Sequence, residues 1–235
     1  MRRLMNKSLA LVVLFFAASF TASAQTAAQV EAFTKAAKFD GASEVKALLK
    51  QGVNPNTTDE NGNPMLFIAV KNKSNAVIDV LLADKRTDVD LSTKNGETPL
   101  MIASIQGDLP LVKTLVLQKK ALVDHIGWKP LHYASATGQI EVAQFLVANG
   151  AVVDSRSLNG TTPLMMAVQS GNEQLVKYLL DNGADLQLKN GFSITAIDIA
   201  DIYDKPWIGD GLKSRWLKLY KTPYKSTAKP PPPQS

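Results

Sequence analysis

The sequence contains no cysteine and only two histidines in 235 residues. The absence of cysteine excludes a disulfide framework and a thiolate metal site, and it leaves no residue to carry the acyl chains of a lipoprotein. A chain without thiols is also safe in an oxidising compartment, where stray thiols cross-link. We therefore expect the protein to be soluble and free of covalent lipid.

Long apolar runs are also scarce, and the one at residues 9–20 has only 12 residues. Twelve helical residues rise about 18 Å, whereas the hydrocarbon core of a bilayer is about 30 Å thick. Two arginines and a lysine precede this run and Ala22-Ser23-Ala24 follows it, which is the order of a secretory signal and its cleavage site. We predict a signal peptide at residues 1–24, cleavage, and a periplasmic location without membrane association. The alternative is an uncleaved membrane anchor.

Charge of neither sign is in large excess. The 26 basic and 21 acidic residues give a net charge of +5, which falls to +2 without the three basic residues of the signal. Nucleic-acid binding needs a clustered basic face, and a dispersed excess of this size does not supply one. We therefore expect no nucleic-acid partner.

A period of about 33 residues organises most of the chain. Four segments align, each with a turn followed by the start of an apolar helix, and a fifth continues the series. A second apolar phrase then closes each unit, often at a glycine such as Gly150 or Gly183. The aligned alanines are spaced by 34, 31, 33 and 33 residues, and they are Ala69, Ala103, Ala134, Ala167 and Ala200.

Each piece of this repeat has a physical reason. Thr98 and Thr162 precede prolines, an order in which the hydroxyl caps a helix and proline takes the first helical position. Gly107 and Gly171 then end that helix where left-handed backbone is needed. The small alanines let two helices approach closely. Since one such unit cannot bury its own apolar face, the units must stack.

The phrases Asn159-Gly160-Thr161-Thr162-Pro163-Leu164 and Gly183-Ala184-Asp185 resemble the ankyrin repeat. The resemblance implies an all-α solenoid of about six helix-turn-helix repeats with short β-hairpin loops and a concave binding face. It covers residues 34–222, after a lead-in at 25–33, and its first and last repeats are expected to act as caps. A last helix is expected around 212–220, and the proline-rich segment 223–235 is expected to be a disordered tail.

The sequence offers no pattern for catalysis, for a cofactor or for a metal ion. His132 stands where ankyrin repeats often carry histidine, so we expect it to make structural hydrogen bonds. His125 lies in a shortened turn without a second ligand nearby, and we expect no metal there. Gly209-Asp210-Gly211 follows no buried strand, so it is predicted to be a loop rather than part of a nucleotide site. We therefore predict that the protein is not an enzyme.

Positions that the fold does not dictate point to function. In ankyrin repeats the partner usually meets the hairpin tips and the exposed end of each first helix, and many of those positions are apolar here. Exposed apolar groups, aromatic ones above all, mark interaction sites. The alternative is that Trp128 folds over its shortened hairpin and that Phe192 packs into the terminal cap. The candidate protein-binding residues are Ile105, Trp128, Leu158, Phe192, Ile194 and Tyr203.

These expectations combine into a monomeric periplasmic module that binds a partner protein through its concave face and hairpin tips. Small exported bacterial ankyrin-repeat proteins, which this chain resembles in size, are associated with stress protection or with neutralising toxic effectors. A second hypothesis is therefore a specific inhibitor, an immunity protein that blocks the active site of an effector enzyme. An inhibitor would abolish one enzyme's activity at a stoichiometric ratio, whereas a scaffold would not.

Overall fold

A computed structural model describes residues 25–124 and 126–228 of the chain. The predicted signal peptide, His125 and residues 229–235 of the predicted tail lie outside the described residues. Within them the chain forms twelve α-helices in six consecutive pairs, so the predicted all-α solenoid is confirmed. The helices are α1 (Ala27–Lys38), α2 (Ala42–Lys50), α3 (Met65–Lys71), α4 (Asn75–Ala83), α5 (Pro99–Gln106), α6 (Leu109–Lys113), α7 (Pro130–Ala136), α8 (Ile140–Ala148), α9 (Pro163–Ser170), α10 (Glu173–Asp181), α11 (Ala196–Ile202) and α12 (Pro206–Tyr220).

The first helix of each pair packs on the first helix of the next, from α1 through α3, α5, α7 and α9 to α11. The alanine of each repeat is at most 1% exposed, because it lies where these helices meet. The leucine three residues before it is just as buried, as at Leu131 (1% exposed) and Leu164 (1%). One continuous hydrophobic core therefore runs along the stack, and each repeat shares its buried side chains with its neighbours.

Local hydrogen bonds explain where the first helices begin. The hydroxyl oxygens of Thr98 and Thr162 accept from the backbone N–H of Met101 and Met165, each at 3.3 Å. Pro99, Pro130 and Pro163 take the first helical position, where a backbone N–H would have no helical acceptor. The threonine–proline phrases thus act as predicted.

The short connection between the two helices of a pair contains one residue in left-handed conformation. Glycine fills this position in the middle repeats, for example Gly107 (φ 72°) and Gly171 (φ 79°). Asp40 (φ 58°) and Lys73 (φ 58°) fill it in the first two repeats, although a side chain there is strained. The carboxylate of Asp40 accepts from the N–H of Val77 at 3.0 Å, which offsets part of that strain.

The third repeat departs from the others in its second helix. There α6 continues as a π-helical turn, Thr114–Gln118. The chain then turns at Lys120, which has left-handed backbone (φ 62°) where Gly52, Gly150 and Gly183 stand in other repeats. The aligned alanine of this repeat, Ala103, lies only 31 residues before Ala134, the aligned alanine of the next repeat.

The last helix begins earlier than predicted. Pro206 starts α12, so Gly209-Asp210-Gly211 lies inside a helix of 15 residues and the prediction of a loop there is wrong. Gly209 is buried, and a Cβ atom on it would lie 3.4 Å from Cβ of Ala200 in α11. This glycine therefore serves close helix packing rather than a turn.

The chain after α12 differs from the expected disordered tail at Tyr224. Its hydroxyl donates to Oδ2 of Asp198 at 2.6 Å and lies 2.7 Å from Oγ1 of Thr195. Its ring meets that of Trp216 edge-on, with the centroids 5.0 Å apart. Tyr224 thus contacts the end of the stack where a further repeat would otherwise pack. None of the helices in the described part of the chain is both long and apolar enough to cross a membrane.

Candidate protein-binding site

Five turns precede α3, α5, α7, α9 and α11, and we call them fingers 2 to 6 after the repeats they open. Four of them share one backbone bond, from the N–H of a polar residue to the carbonyl four residues on. Asp59, Thr93, Ser157 and Asn190 provide that N–H, at 2.9 to 3.0 Å. Their side-chain oxygens also accept from N–H groups of the same turn. The residues that build a finger are therefore distinct from those at its tip.

The tips change character along the array. Fingers 2 and 3 end in the exposed polar pairs Glu60-Asn61 and Lys94-Asn95. Finger 4 carries Ile126, which is 95% exposed, and finger 5 carries Leu158, which is 85% exposed. Finger 6 carries Phe192, which is 50% exposed. Three successive fingers thus present one large apolar side chain each to solvent.

The six predicted residues divide into two groups. Trp128 (36% exposed), Leu158, Phe192 and Tyr203 (45%) are exposed. Ile194 is half-buried and packs against the core, and Ile105 is also only partly exposed. We therefore assign the candidate site to the exposed group and leave out Ile105 and Ile194.

Sequence reasoning missed Ile126, the most exposed of these side chains. The signal was its alignment with Asn61 and Asn95, which was hidden because finger 4 is shortened. Leu158 lies close to this finger, since a Cβ atom on Gly127 would be 3.6 Å from its Cγ. The side chain of Leu158 in finger 5 thus lies beside the backbone of Gly127 in finger 4, the residue that follows Ile126.

Two hydrogen bonds hold fingers 5 and 6 side by side. The N–H of Gly191 donates to the carbonyl oxygen of Asn159 at 2.7 Å, and the guanidinium of Arg156 donates to the carbonyl of Lys189 at 2.7 Å. Both bonds join finger 5 to finger 6. Since these bonds use backbone groups and the Arg156 side chain, they leave the side chains of Leu158 and Phe192 exposed.

Trp128 lies half against the protein. Its ring meets the His132 ring edge-on, with the centroids 5.3 Å apart and the planes at 81°. His132 is fully buried, its Nδ1 accepts from the N–H of Lys129 at 3.3 Å, and its Nε2 lies 3.0 Å from the carbonyl oxygen of Thr161. These partners require neutral imidazole with the proton on Nε2. His132 is thus a structural residue, as predicted, that joins repeats 4 and 5.

Burial controls the charge of that imidazole. It lowers the pKa of His132 from 6.5 to about 4, and the nearby positive charge of Lys129 acts in the same direction. The ring next to Trp128 is therefore uncharged at neutral pH. Trp128 rests on a neutral aromatic surface and keeps about a third of its side chain in water.

Exposed apolar side chains also lie at the end of α11, the helix that follows finger 6. They are Ile202 (57% exposed), the last residue of α11, and Tyr203 (45%), which follows it. Within the described ranges, no group of three or more histidine, aspartate or glutamate side chains is placed to hold a metal ion. What the arrangement can do is bury aromatic and aliphatic side chains against a partner surface.

The comparisons with known proteins agree with the repeat fold. A family model described as ankyrin repeats, three copies, matches residues 33–125 and 107–190. The chain belongs to the ankyrin-repeat family. The match covers more than half of the chain, and ankyrin repeats are protein–protein interaction modules.

Several curated proteins share part of this ankyrin array. The human transient receptor potential cation channel subfamily A member 1 is 35% identical over 152 residues, which is 60% of this chain and 14% of the channel. Protein glp-1 of Caenorhabditis elegans is 31% identical over 66% of this chain and 13% of its own length. Palmitoyltransferase AKR1 of Lachancea kluyveri is 29% identical over 72% of this chain and 24% of its own.

The chain spans less than a quarter of the length of each of these relatives. The similarity thus concerns the repeat array itself, a part that proteins with quite different names share. The ankyrin family accounts for the repeat.

Proposed function

We propose that this chain is an exported, periplasmic ankyrin-repeat protein that binds a partner protein through fingers 4 to 6. The apolar row of Ile126, Leu158 and Phe192 carries the proposal, with Trp128 and Tyr203 as the aromatic residues beside it. Apolar tips on three successive fingers form a surface that water solvates poorly, and aromatic residues are the usual hot spots of interfaces. The polar tips of fingers 2 and 3 supply no such surface.

The proposal of export rests on the order of residues 1–24, in which a basic start, a short apolar run and Ala22-Ser23-Ala24 follow one another. We expect intact-mass analysis of periplasmic material to find a chain that begins at Gln25. Recovery of the uncleaved chain from the cytosol would contradict both cleavage and the proposed location.

The binding proposal is tested by capture from periplasmic extract, followed by affinity measurement with the purified partner. We expect Trp128→Ala to weaken binding by about 2 kcal/mol, roughly thirtyfold, as truncation of an interface aromatic does. Leu158→Ser and Phe192→Ser should each weaken binding as well, because both side chains lie at the proposed contact. Since both are largely exposed, these variants should keep the fold.

Glu60→Ser and Lys94→Ser are the matched controls, since they change the exposed tips of fingers 2 and 3. They should leave affinity unchanged. If Trp128→Ala lowers the melting temperature while its folded fraction binds normally, Trp128 only packs on His132. If the control variants weaken binding as much as the apolar ones, the partner is not selected by fingers 4 to 6.

The same partner distinguishes a scaffold from an inhibitor, the second function we consider. When the captured protein is an enzyme, its turnover is measured with increasing amounts of this chain. Loss of activity at a one-to-one ratio indicates an inhibitor or immunity protein, and unchanged activity indicates a scaffold.

A further inference from the structure

A groove of about 710 Å³ opens between α10 and α12, the last two second helices of the array. Its floor is apolar and consists of Val176, Leu180 and Leu212, which are at most 8% exposed. We call this space the cap groove. The fingers precede the first helices, so the cap groove shares no residue with the site proposed above.

Two exposed apolar side chains stand at the ends of the cap groove. Trp207 follows the proline that starts α12 and is 82% exposed, and Leu219 lies near the end of the same helix and is 55% exposed. Twelve residues of helix separate them, about 18 Å along the axis. A tryptophan this exposed contributes little to the stability of the fold, since most of its ring remains in water.

The rim of the cap groove is basic. Lys177 and Arg215 share the carboxylate of Asp181, at 2.5 and 3.3 Å. Lys218 also lines the groove, and it makes no ion pair within the part of the chain that the structure describes. Glu173 also lines the groove, so two carboxylates stand beside three cations and the rim keeps a net positive charge.

The surrounding segment strengthens this positive field. Residues 205–235 contain seven basic residues and one acidic residue, a net charge of +6. Residues 25–204 contain 16 basic and 20 acidic residues, a net charge of −4. Positive charge is therefore concentrated on the C-terminal cap, although the composition of the whole chain conceals it. A concentrated field of this kind attracts an acidic partner and repels a basic one.

We infer that the cap groove binds an acidic amphipathic helix of a partner protein, with leucine-type side chains on the floor and carboxylates toward Lys177 and Lys218. The distance from Trp207 to Leu219 matches about three turns of such a helix. A concave apolar floor fits a helix better than the flat surface of a bilayer, which would leave the floor unfilled. The basic tail of this chain has the wrong charge for the site.

Three labelled peptides of about 14 residues, long enough to span the groove as a helix, serve as probes. The first carries leucines on one face and glutamates on its flanks. The second replaces the glutamates by lysines, and the third keeps the glutamates but replaces the leucines by serines. Fluorescence anisotropy with the purified full-length protein should show that the first peptide binds at least roughly tenfold more tightly than either of the others.

Lys218→Glu should weaken binding of the first peptide about tenfold or more and improve binding of the lysine peptide. Trp207→Ala should weaken binding of the first peptide and leave the melting temperature unchanged. Lys113→Glu is the matched control, because it makes the same change of charge at an exposed position of α6. It should change nothing.

Equal binding of all three peptides, or the same effect for Lys218→Glu and Lys113→Glu, would overturn the inference. Vesicles of phosphatidylcholine with and without phosphatidylglycerol test the lipid alternative. If the protein binds the anionic vesicles, Trp207→Ala abolishes that binding and the first peptide does not bind, the cap groove belongs to a membrane surface instead. Self-association in sedimentation that Trp207→Ala abolishes would assign it to a second copy of this chain.

Discussion

Fingers 2 and 3 and fingers 5 and 6 are built alike, yet their tips differ. In all four a polar residue donates its N–H to the carbonyl four residues on. The tips of the first two are charged or amide side chains, whereas those of the last two are leucine and phenylalanine. Because the same backbone carries both kinds of tip, folding does not require the apolar ones. The exposure of Leu158 and Phe192 therefore supports the proposal that they contact a partner.

The largest effect is expected where core and tip of one repeat are compared. Leu131→Ala should lower the free energy of unfolding by about 2–5 kcal/mol, because it leaves a cavity in the continuous core. Ile126→Ala, five residues earlier, should change it by less than about 0.5 kcal/mol, since that side chain is 95% exposed. Urea denaturation measures both. A loss above about 1 kcal/mol for Ile126→Ala would show that the tip is structural.

The next prediction concerns pH and the imidazole of repeat 4. Below pH 6.5 the unfolded chain takes up a proton that folded His132 takes up only near pH 4, so acid favours unfolding. The difference between these two pKa values lowers the free energy of unfolding by about 3 kcal/mol as the pH falls from 6.5 to 4. Repeats 3 and 5 carry Met101 and Met165 at the same position, both fully or almost fully buried, so methionine fits there.

His132→Met should therefore remove this loss. Relative to the parent, the variant should gain about 3 kcal/mol as the pH falls from 7 to 4. Urea denaturation at several pH values measures the difference, which cancels carboxylates common to both chains. A constant difference between the two proteins would mean that the folded histidine titrates normally.

The repeat period made most of this fold predictable, and the exceptions have a common cause. Helix starts such as Thr98-Pro99 depend on neighbours in sequence, so the pattern alone reveals them. Tyr224 contacts Asp198, 26 residues away, and no local pattern announces such a bond. The exposed tryptophan at 207 depends on how α12 packs on α11 through Gly209, which also turned a predicted loop into helix.

The binding residues were partly predictable for a similar reason. Leu158 and Phe192 stand at tips whose position follows from the repeat. Ile105 and Ile194 stand at positions that point outward in principle, but packing between neighbouring repeats covers much of them. Exposure is a property of the assembled stack, and a one-repeat pattern cannot supply it.

A smaller effect is expected at the C-terminal end, where Asp198 stands at the position that is histidine or methionine in repeats 3 to 5. Burial by itself raises the pKa of Asp198, but hydrogen bonds from Ser226, Tyr224 and Thr195 outweigh it and leave the pKa below 3.8. The carboxylate therefore stabilises the fold above about pH 4 and loses that effect as the pH falls through its folded pKa.

Tyr224→Phe should lower the free energy of unfolding by about 1.5–3 kcal/mol at pH 7, the usual contribution of a hydrogen bond to a charged acceptor. The difference from the parent should shrink as the pH falls from about 4, the pKa of aspartate in the unfolded chain, through the lower folded pKa of Asp198. Urea denaturation at pH 7 and pH 3 tests this, with Tyr203→Phe as the control for an exposed tyrosine. An equal loss at both pH values would show that the carboxylate is not involved.

The smallest effects compare the two left-handed residues of the first two repeats. Lys73 is exposed and has backbone φ 58°, so glycine there relieves a strain of about 1–2 kcal/mol and loses some of it to backbone entropy. Lys73→Gly should therefore raise the free energy of unfolding by up to about 1 kcal/mol. Asp40→Gly relieves the same strain but removes the carboxylate that accepts from the N–H of Val77, worth about 1 kcal/mol. Its net effect should be close to zero in urea denaturation. If both variants stabilise equally, the Asp40 cap contributes nothing and only the backbone distinguishes these two repeats from the glycine-containing repeats that follow them.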